Sequence, residues 1–178
     1  LGWGEGLLLL GTPIAKEMMA VLEAKLQDLV QEVAQLPGDL IFSPDNLDGQ
    51  FISRRMFEKR LLESYGQTVE TLQVEGKRLL VHAGGPIRHL LPLLAEAGVD
   101  GIEGISGQPQ SNASLAEARE LAGPEMTMWG GIAQDYLLGT HEEEAFEAAV
   151  RQAVRESKGD RRTILGVADR VPAGAELS

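Results

Sequence analysis

Five side chains that could form a site stand at or near the ends of short apolar runs. They are Asp45, His82, Glu103, Trp129 and Asp169. Imidazole and carboxylate groups transfer protons in many enzymes, and an indole ring can form the apolar wall of a binding site. Parallel strands end at one edge of their sheet, which is where such folds bind ligands. If these runs are parallel strands, the sequence predicts one site built from all five positions.

His82 closes an apolar run and is followed by Ala83, Gly84 and Gly85. The two glycines allow the backbone to come close to a ligand, so we include them in the site. The imidazole could carry a proton or bind a metal ion. A histidine that is only hydrogen-bonded to the rim of the sheet explains the pattern about equally well.

Glu103 lies within an apolar run, between Gly101 and Gly104. A buried carboxylate must be paired with a hydrogen-bond donor or a cation, or take up a proton. Glu103 is therefore an acid/base candidate, with Ile102 and Ile105 facing the outer helices. A structural salt bridge would account for it equally well.

The segment after the first strand is rich in oxygen ligands, with Asp45, Asn46 and Asp48 within four residues. It lacks the distal Glu of a calcium loop, and Asx residues commonly build turns, so the metal signal is weak. We favour Asp45 as the catalytic member and Asp48 as a substrate contact. Arg54 is a candidate for binding substrate carboxylates, although an exposed helix arginine is the commoner case, and the same holds for Arg55.

Two late glycine-containing turns complete the candidate residues. Trp129, Gly130 and Gly131 end one strand, and Gly166–Asp169 end the next. Backbone amides in such turns can bind phosphate. Trp129 could instead belong to the core. We predict a substrate-binding role for these two turns, with Asp169 included.

Helical and strand patterns alternate along the chain, which is typical of βα units. Met18, Leu22, Leu26 and Leu29 recur at helical spacing in the first long helix, so we expect one packed and one wet face. Ser53, Ser114 with Glu117, and Thr140 with Glu143 are predicted helix caps. The predicted strands are 39–43, 78–82, 99–105, 126–131 and 163–169, with a possible sixth at 7–10; the predicted helices are 14–35, 53–74, 87–96, 114–122 and 141–157.

The fold class predicted from this alternation is α/β, of the (β/α)8 TIM-barrel type. A complete barrel needs about 250 residues, whereas this chain has 178. Five or six βα units fit this length, so we expect a partial barrel or an open sheet. We expect a single domain over residues 1–178 and regard the chain as a fragment.

Composition excludes several classes of protein. The net charge of -11 argues against binding nucleic acid, because a phosphate backbone attracts clusters of Lys and Arg. There is no cysteine, so disulfides, thiolate nucleophiles and Cys-ligated metal centres are excluded. The run Leu7–Leu10 is too short to span a membrane and has no basic segment before it. We expect a cytoplasmic protein.

Four motifs together resemble the uroporphyrinogen decarboxylase superfamily. They are Gly38–Gly49, Arg78–Gly85, Glu96–Glu103 and Trp129–Ile132, in matching order and separation, within a resemblance that runs from about Pro37 to the C-terminus. The resemblance implies the C-terminal part of a (β/α)8 barrel. Members of the superfamily include the haem-pathway decarboxylase and methyltransferases that move methyl groups to or from corrinoid cofactors or thiols.

This sequence departs from both branches of the superfamily. The methyltransferase branch binds zinc with a strand-end His, a Cys two residues later and a distant Cys; here His82 is followed by Gly84, and no Cys exists. In the decarboxylase branch, the motif around a C-terminal histidine appears here as Gly166–Asp169. The resemblance implies that a decarboxylase would need no cofactor, whereas a methyltransferase could use a corrinoid and a divalent, oxygen-ligated metal.

We expect an enzyme of tetrapyrrole or corrinoid-linked one-carbon metabolism, acting by decarboxylation or methyl transfer. His82 would be the proton carrier or polar anchor, with Asp45 and Glu103 as acid/base or orienting groups. Its partner would be a small tetrapyrrole or a methyl donor or acceptor. Two alternatives stay open: a non-catalytic barrel fragment that binds a ligand or self-associates, for example as a homodimer, and an unrelated phosphate-binding barrel.

Overall fold

A computed structural model describes residues 3–139 and 141–175 of the chain. It contains five strands, seven α-helices and one short 3₁₀-helix. The strands are β1 (Leu40–Leu47), β2 (Arg78–Ala83), β3 (Gly101–Ile105), β4 (Thr127–Ile132) and β5 (Thr163–Val167). The helices are α1 (Trp3–Leu9), α2 (Pro13–Ala34), α3 (Arg54–Arg60), α4 (Leu62–Val74), α5 (Leu91–Glu96), α6 (Leu115–Ala122), the 3₁₀-helix (Gln134–Leu138) and α7 (Glu143–Glu156).

All five strands are parallel and lie side by side in chain order, from β1 to β5. Helices connect the successive strands, as parallel pairing requires. The predicted α/β fold with parallel strands is therefore confirmed. The sheet is open, since β1 and β5 do not pair with each other in the described part of the chain. This architecture is that of a partial TIM barrel.

The predicted sixth strand at 7–10 is wrong. Residues 3–9 form the helix α1, and residue 10 begins a turn. Leucine favours a helix almost as strongly as alanine, and this stretch has no β-branched residue that would favour a strand. The described chain therefore has five strands.

One face of the sheet is covered by helices and the other is open. Val81, Ile102 and Met128 pair across neighbouring strands and are fully buried beneath the helical layer. On the opposite face, the side chains of Phe42 and Ile164 are 48% and 49% exposed. The open face is apolar at the start of the strands and polar at their ends, where the candidate residues lie.

The expectation that α2 packs one apolar face is wrong for most of the helix. Val30 and Ala34 are buried near its C-terminal end, whereas Met18 and Leu22 are 57% and 56% exposed. The helix packs mainly against α4. Because β1 is the edge of the described sheet, the N-terminal half of the apolar stripe has no strand beneath it. The helical spacing predicted the helix correctly, within one residue at each end.

Two other helices differ from the sequence prediction. The expected helix 53–74 is two helices that meet at Leu61, and the expected helix 87–96 begins only at Leu91. The backbone amide of Ile87 donates to the side-chain oxygen of Asn112, so this turn is held by a neighbouring loop.

The predicted caps are found where the structure describes both residues. The Ser53 hydroxyl accepts from the amide of Met56, and Ser114 forms a capping box with Glu117. Thr140, the remaining predicted cap, lies outside the described residues. The helix that follows begins at Glu143 and not at 141.

The strand ends also differ slightly from the prediction. β1 extends to Leu47, with a register shift after Ser43, and β5 ends at Val167. Asp169 therefore lies two residues beyond its strand. Within the described residues, no helix has the length and apolar character needed to cross a membrane.

Candidate active site

Strand register places three candidate residues in one row on the open face. His82 pairs with Glu103, and Glu103 pairs with Trp129. Residues paired across parallel strands project to the same side of the sheet. The row crosses the carboxyl ends of β2, β3 and β4, which is where an α/β sheet of this kind binds ligands.

His82 and Glu103 form the closest polar contact of the site. Nδ1 of His82 lies 2.5 Å from Oε2 of Glu103. The two side chains are only 12% and 8% exposed. The charge-assisted contact satisfies a buried carboxylate that would otherwise be unpaired, and it fixes the orientation of the imidazole ring. It accommodates both the catalytic and the purely structural interpretation of Glu103.

Asp169 closes a ring of contacts around this pair. Its backbone amide donates to Oε1 of Glu103 at 2.8 Å, and its carboxylate oxygen Oδ1 lies 3.8 Å from Nε2 of His82. Asp169 has a φ of 69°, which is uncommon for a residue other than glycine. This backbone conformation turns the amide toward Glu103 after β5 has ended. Strands β2 and β3 and the turn after β5 thus contribute one group each.

The surrounding carboxylates raise the pKa of His82 above its usual value of 6.5. The hydrogen bond that the imidazole donates to Glu103 is the largest cause, and partial burial opposes it. The charges of Glu103, Asp169 and Asp45 raise the pKa further. The protonated, cationic ring is thereby favoured over the neutral ring.

We expect the stability of the protein to fall as pH rises through the folded-state pKa of His82. The folded state binds this proton more tightly than the unfolded state, so the stabilisation is complete below pH 6.5 and is lost above the raised pKa. Urea unfolding of the wild type and of His82→Gln, measured from pH 5 to 9, tests this. The difference between their unfolding free energies should shrink as pH rises.

The matched control for this titration is His141→Gln. His141 is exposed and contacts the ring of Tyr136, so its replacement leaves the contacts of His82 in place. The control should reproduce the pH dependence of the wild type. If His82→Gln also runs parallel to the wild type at every pH, the coupling between His82 and Glu103 is absent in solution.

Asp45 is turned toward the helical layer. Its carboxylate accepts a hydrogen bond of 2.6 Å from the hydroxyl of Tyr65 on α4. Burial raises the pKa of Tyr65, and the charge of Asp45 raises it further, so the phenol stays protonated and donating. Asp45 acts on His82 through its charge, whereas its direct partner is Tyr65.

The Asx segment packs against the two glycines that follow His82. A Cβ atom at Gly84 would lie 2.5 Å from the side-chain oxygen of Asn46, and one at Gly85 would lie 3.0 Å from Oδ2 of Asp48. Asp48 also accepts from the amide of Gln50, as in an Asx turn. Both glycines therefore allow close approach of the loops after β1 and β2.

Arg54 and Gly131 do not join the cluster around His82. Arg54 is paired with Glu58 along α3. A Cβ atom at Gly131 would contact Leu115 and Ala153, on the side of the helices. No contact in the described structure supports the binding of a substrate carboxylate by Arg54 or of phosphate at Gly131. Both therefore stay predictions.

Trp129 and Gly130 lie side by side at the end of β4. The tryptophan is 38% exposed on the open face, next to Glu103 in the register. Gly130 has a φ of 144°, and a Cβ atom there would overlap the carbonyl oxygen of Ile105. The glycine thus permits the register shift between β3 and β4, and Trp129 is available as a wall of the site.

The residues gathered here do not fit the zinc site of the methyltransferase branch. The chain has no cysteine, and Nδ1 of His82 is engaged by Glu103. Among the described residues, no three His, Asp or Glu side chains are arranged to hold a metal ion.

Sequence reasoning missed two residues of the site. Tyr65 lies within the predicted helix 53–74, where nothing in the pattern marked it as a site residue, although a buried tyrosine usually has a hydroxyl partner. Gln134 donates from Nε2 to Oδ2 of Asp169 at 3.2 Å. It follows β4 by two residues, so the rule that selected polar groups near strand ends would have found it.

Comparisons with known proteins bear on the family and on the fold of this chain. Residues 8–178 match the family model of uroporphyrinogen decarboxylase (URO-D). The fold is similar to that of a methyltransferase from Methanosarcina mazei, with a TM-score of 0.55 and 16% sequence identity, over 75% of this chain and 37% of that one. A D-psicose 3-epimerase crystallised with D-fructose has a TM-score of only 0.32 at 9% identity, over 83% and 81% of the two chains, which supports no conclusion. No curated protein matches the sequence.

The two informative matches differ in what they establish. At 16% identity, the likeness to the methyltransferase concerns the fold alone, and this chain spans about 37% of its length. The family model covers nearly the whole sequence, including every residue of the ring around His82. It confirms the resemblance seen in the sequence motifs. The chain belongs to the uroporphyrinogen decarboxylase family.

Proposed function

We propose that this chain supplies the proton-transfer groups of an enzyme that decarboxylates a tetrapyrrole. The contact of 2.5 Å between Nδ1 of His82 and Oε2 of Glu103 is the observation that carries the proposal. It presents an imidazole with one ring nitrogen fixed, whose protonation the neighbouring carboxylates favour, at the end of the sheet where ligands of barrel folds bind.

Proton transfer is the chemistry that a decarboxylation requires from the protein. The bond between the substrate and its carboxylate carbon breaks, CO₂ leaves, and a proton takes up the electron pair left on the substrate. One proton is consumed for each CO₂ released. A histidine whose pKa is raised above 6.5 by Glu103 is protonated over more of the neutral range and can give this proton.

The charges around His82 fit a substrate that offers N–H groups. Asp45, Glu103 and Asp169 all act on the imidazole. Carboxylates accept hydrogen bonds from pyrrole N–H groups and stabilise positive charge that develops on the ring. The exposed indole of Trp129 lies beside Glu103 and offers a flat apolar surface to a conjugated ring.

Methyl transfer linked to a corrinoid is the other reaction expected in this family. A thiol acceptor would have to be activated there without the cysteine ligands of zinc, which this chain lacks. The donor set of the site therefore favours proton chemistry over methyl transfer.

The test uses the purified chain with uroporphyrinogen. We expect CO₂ release together with tetrapyrrole products that have fewer carboxylates, both measured by chromatography and by mass spectrometry. Binding of the oxidised porphyrin, followed by fluorescence, gives a second readout. If neither binding nor decarboxylation occurs, the proposal is wrong. Methyl transfer from a methylated corrinoid to a thiol, if it were detected with the same chain, would support the second reaction instead.

A further inference from the structure

Nε2 of His82 is the free end of the ring of contacts. Nδ1 is engaged by Glu103, whereas Nε2 makes no hydrogen bond within the described part of the chain. The nearest carboxylate oxygen, Oδ1 of Asp169, lies 3.8 Å away. Hydrogen bonds between N–H and O need about 2.7–3.2 Å, so at 3.8 Å the Asp169 oxygen is too far away to form one.

The backbone contact of Asp169 does not by itself fix the position of its carboxylate. The backbone amide is bound to Glu103 at 2.8 Å and holds the residue at positive φ. The side-chain torsions are not fixed by this backbone contact, and the charge of the imidazole attracts the carboxylate. A side-chain contact of Asp169 is needed to keep it at its present distance of 3.8 Å.

Gln134 supplies that contact. Its Nε2 donates to Oδ2 of Asp169 at 3.2 Å, and its own backbone amide is fixed by the side chain of Gln110. Its side-chain oxygen is buried and has no partner in the described structure. An unsatisfied buried acceptor is unfavourable, but the opposite orientation of the amide would point its oxygen at a carboxylate, which is worse. The orientation of Gln134 is thus dictated by Asp169.

We infer that Gln134 is a positioning residue that holds the Asp169 carboxylate away from Nε2 of His82, so that this nitrogen stays available to the substrate. Asp169 still acts on the imidazole through its charge at 3.8 Å. This role rests on the proposed function, because it assumes that a substrate approaches Nε2 of His82. The restraint itself is a property of the free protein.

The decisive variant is Gln134→Leu, which removes the donor and keeps a side chain of similar volume. The freed carboxylate of Asp169 should close on Nε2. NMR titration of the His82 ring should then show a pKa higher than in the wild type, with Nε2 resonating as a hydrogen-bonded nitrogen. Tetrapyrrole turnover should fall about 10–100-fold, because the proton-donating nitrogen is occupied.

A double-mutant cycle separates this effect from general loosening of the site. Asp169→Asn alone should lower the pKa of His82, since it removes the negative charge of Asp169, which helps to raise that pKa. Adding Gln134→Leu to Asp169→Asn should cause no further change, because the restrained carboxylate is gone. Gln67→Leu, at an exposed glutamine of α4 whose side chain donates to Glu63, should leave the titration unchanged.

Two results of the His82 titration would contradict this role of Gln134. A lower pKa of His82 in Gln134→Leu would mean that Gln134 aims Asp169 at the ring, or that the site opens to water. An unchanged pKa would mean that Gln134 has no hold on Asp169. The pKa of His82 and the resonance of Nε2 are measured on the protein without substrate, so they test the role of Gln134 even if uroporphyrinogen is not turned over. Failure of turnover with the expected titration would count against the proposed function alone.

Discussion

Replacing His82 with glutamine should lower the turnover of uroporphyrinogen by about 10²–10⁴-fold, which is the usual contribution of a positioned proton donor. Glutamine preserves polarity and approximate size but cannot give a proton. The affinity for the porphyrin should change much less than turnover, because the apolar wall at Trp129 and the neighbouring carboxylates remain. Single-turnover kinetics and porphyrin fluorescence measure the two quantities separately.

His141→Gln is the control, since it removes an exposed histidine that does not take part in the contacts among His82, Glu103 and Asp169. Its turnover should equal that of the wild type. Circular dichroism must show that His82→Gln is folded. Full activity in a folded His82→Gln protein would rule out His82 as the proton donor and leave the pair with Glu103 as a structural contact.

The largest effect on stability is expected from Gly104→Ala. Gly104 has a φ of 107°, and a Cβ atom there would overlap the backbone carbonyl of Ala83. Backbone strain of this kind costs about 1–3 kcal/mol, and overpacking costs about 1–3 kcal/mol more. We expect the free energy of unfolding to fall by about 2–6 kcal/mol. Urea unfolding at pH 7 measures this loss.

Gly66→Ala is the matched control for this substitution. Gly66 lies in α4, and a Cβ atom there would meet nothing within 4 Å. Alanine favours a helix interior over glycine by about 1 kcal/mol, so this variant should be slightly more stable than the wild type. Equal stability of Gly104→Ala and the wild type would show that β2 and β3 can separate at this point without penalty.

Much of the site was predictable because strand ends are marked by polar residues in the sequence. Parallel pairing then brought His82 and Glu103 together without further information, since the carboxyl ends of neighbouring strands share one edge. The same reasoning placed Trp129 beside Glu103. It did not show that Asp169 would be held by its backbone amide, because that contact depends on a positive φ after the strand has ended.

The differences between the sequence predictions and the structure at Asp45 and α2 have local physical causes. Asp45 carries a carboxylate at a strand end, yet its partner is Tyr65 in the helical layer, a contact between residues 20 positions apart that no periodicity reveals. The apolar stripe of α2 predicted burial, but burial also requires a neighbouring strand, and β1 is the last strand on that side of the described sheet. Sequence spacing therefore predicts elements better than it predicts what covers them.

The ring around His82 combines parts of unequal stability. Glu103 belongs to the central strand, whereas Asp169 follows β5, an edge strand of the described sheet in which Ile164 and Leu165 are half-exposed. Edge elements with few buried contacts open locally before the centre of a fold does. Fraying of β5 therefore detaches Asp169 and Nε2 gains access to water, while the bond between His82 and Glu103 survives until the sheet itself unfolds.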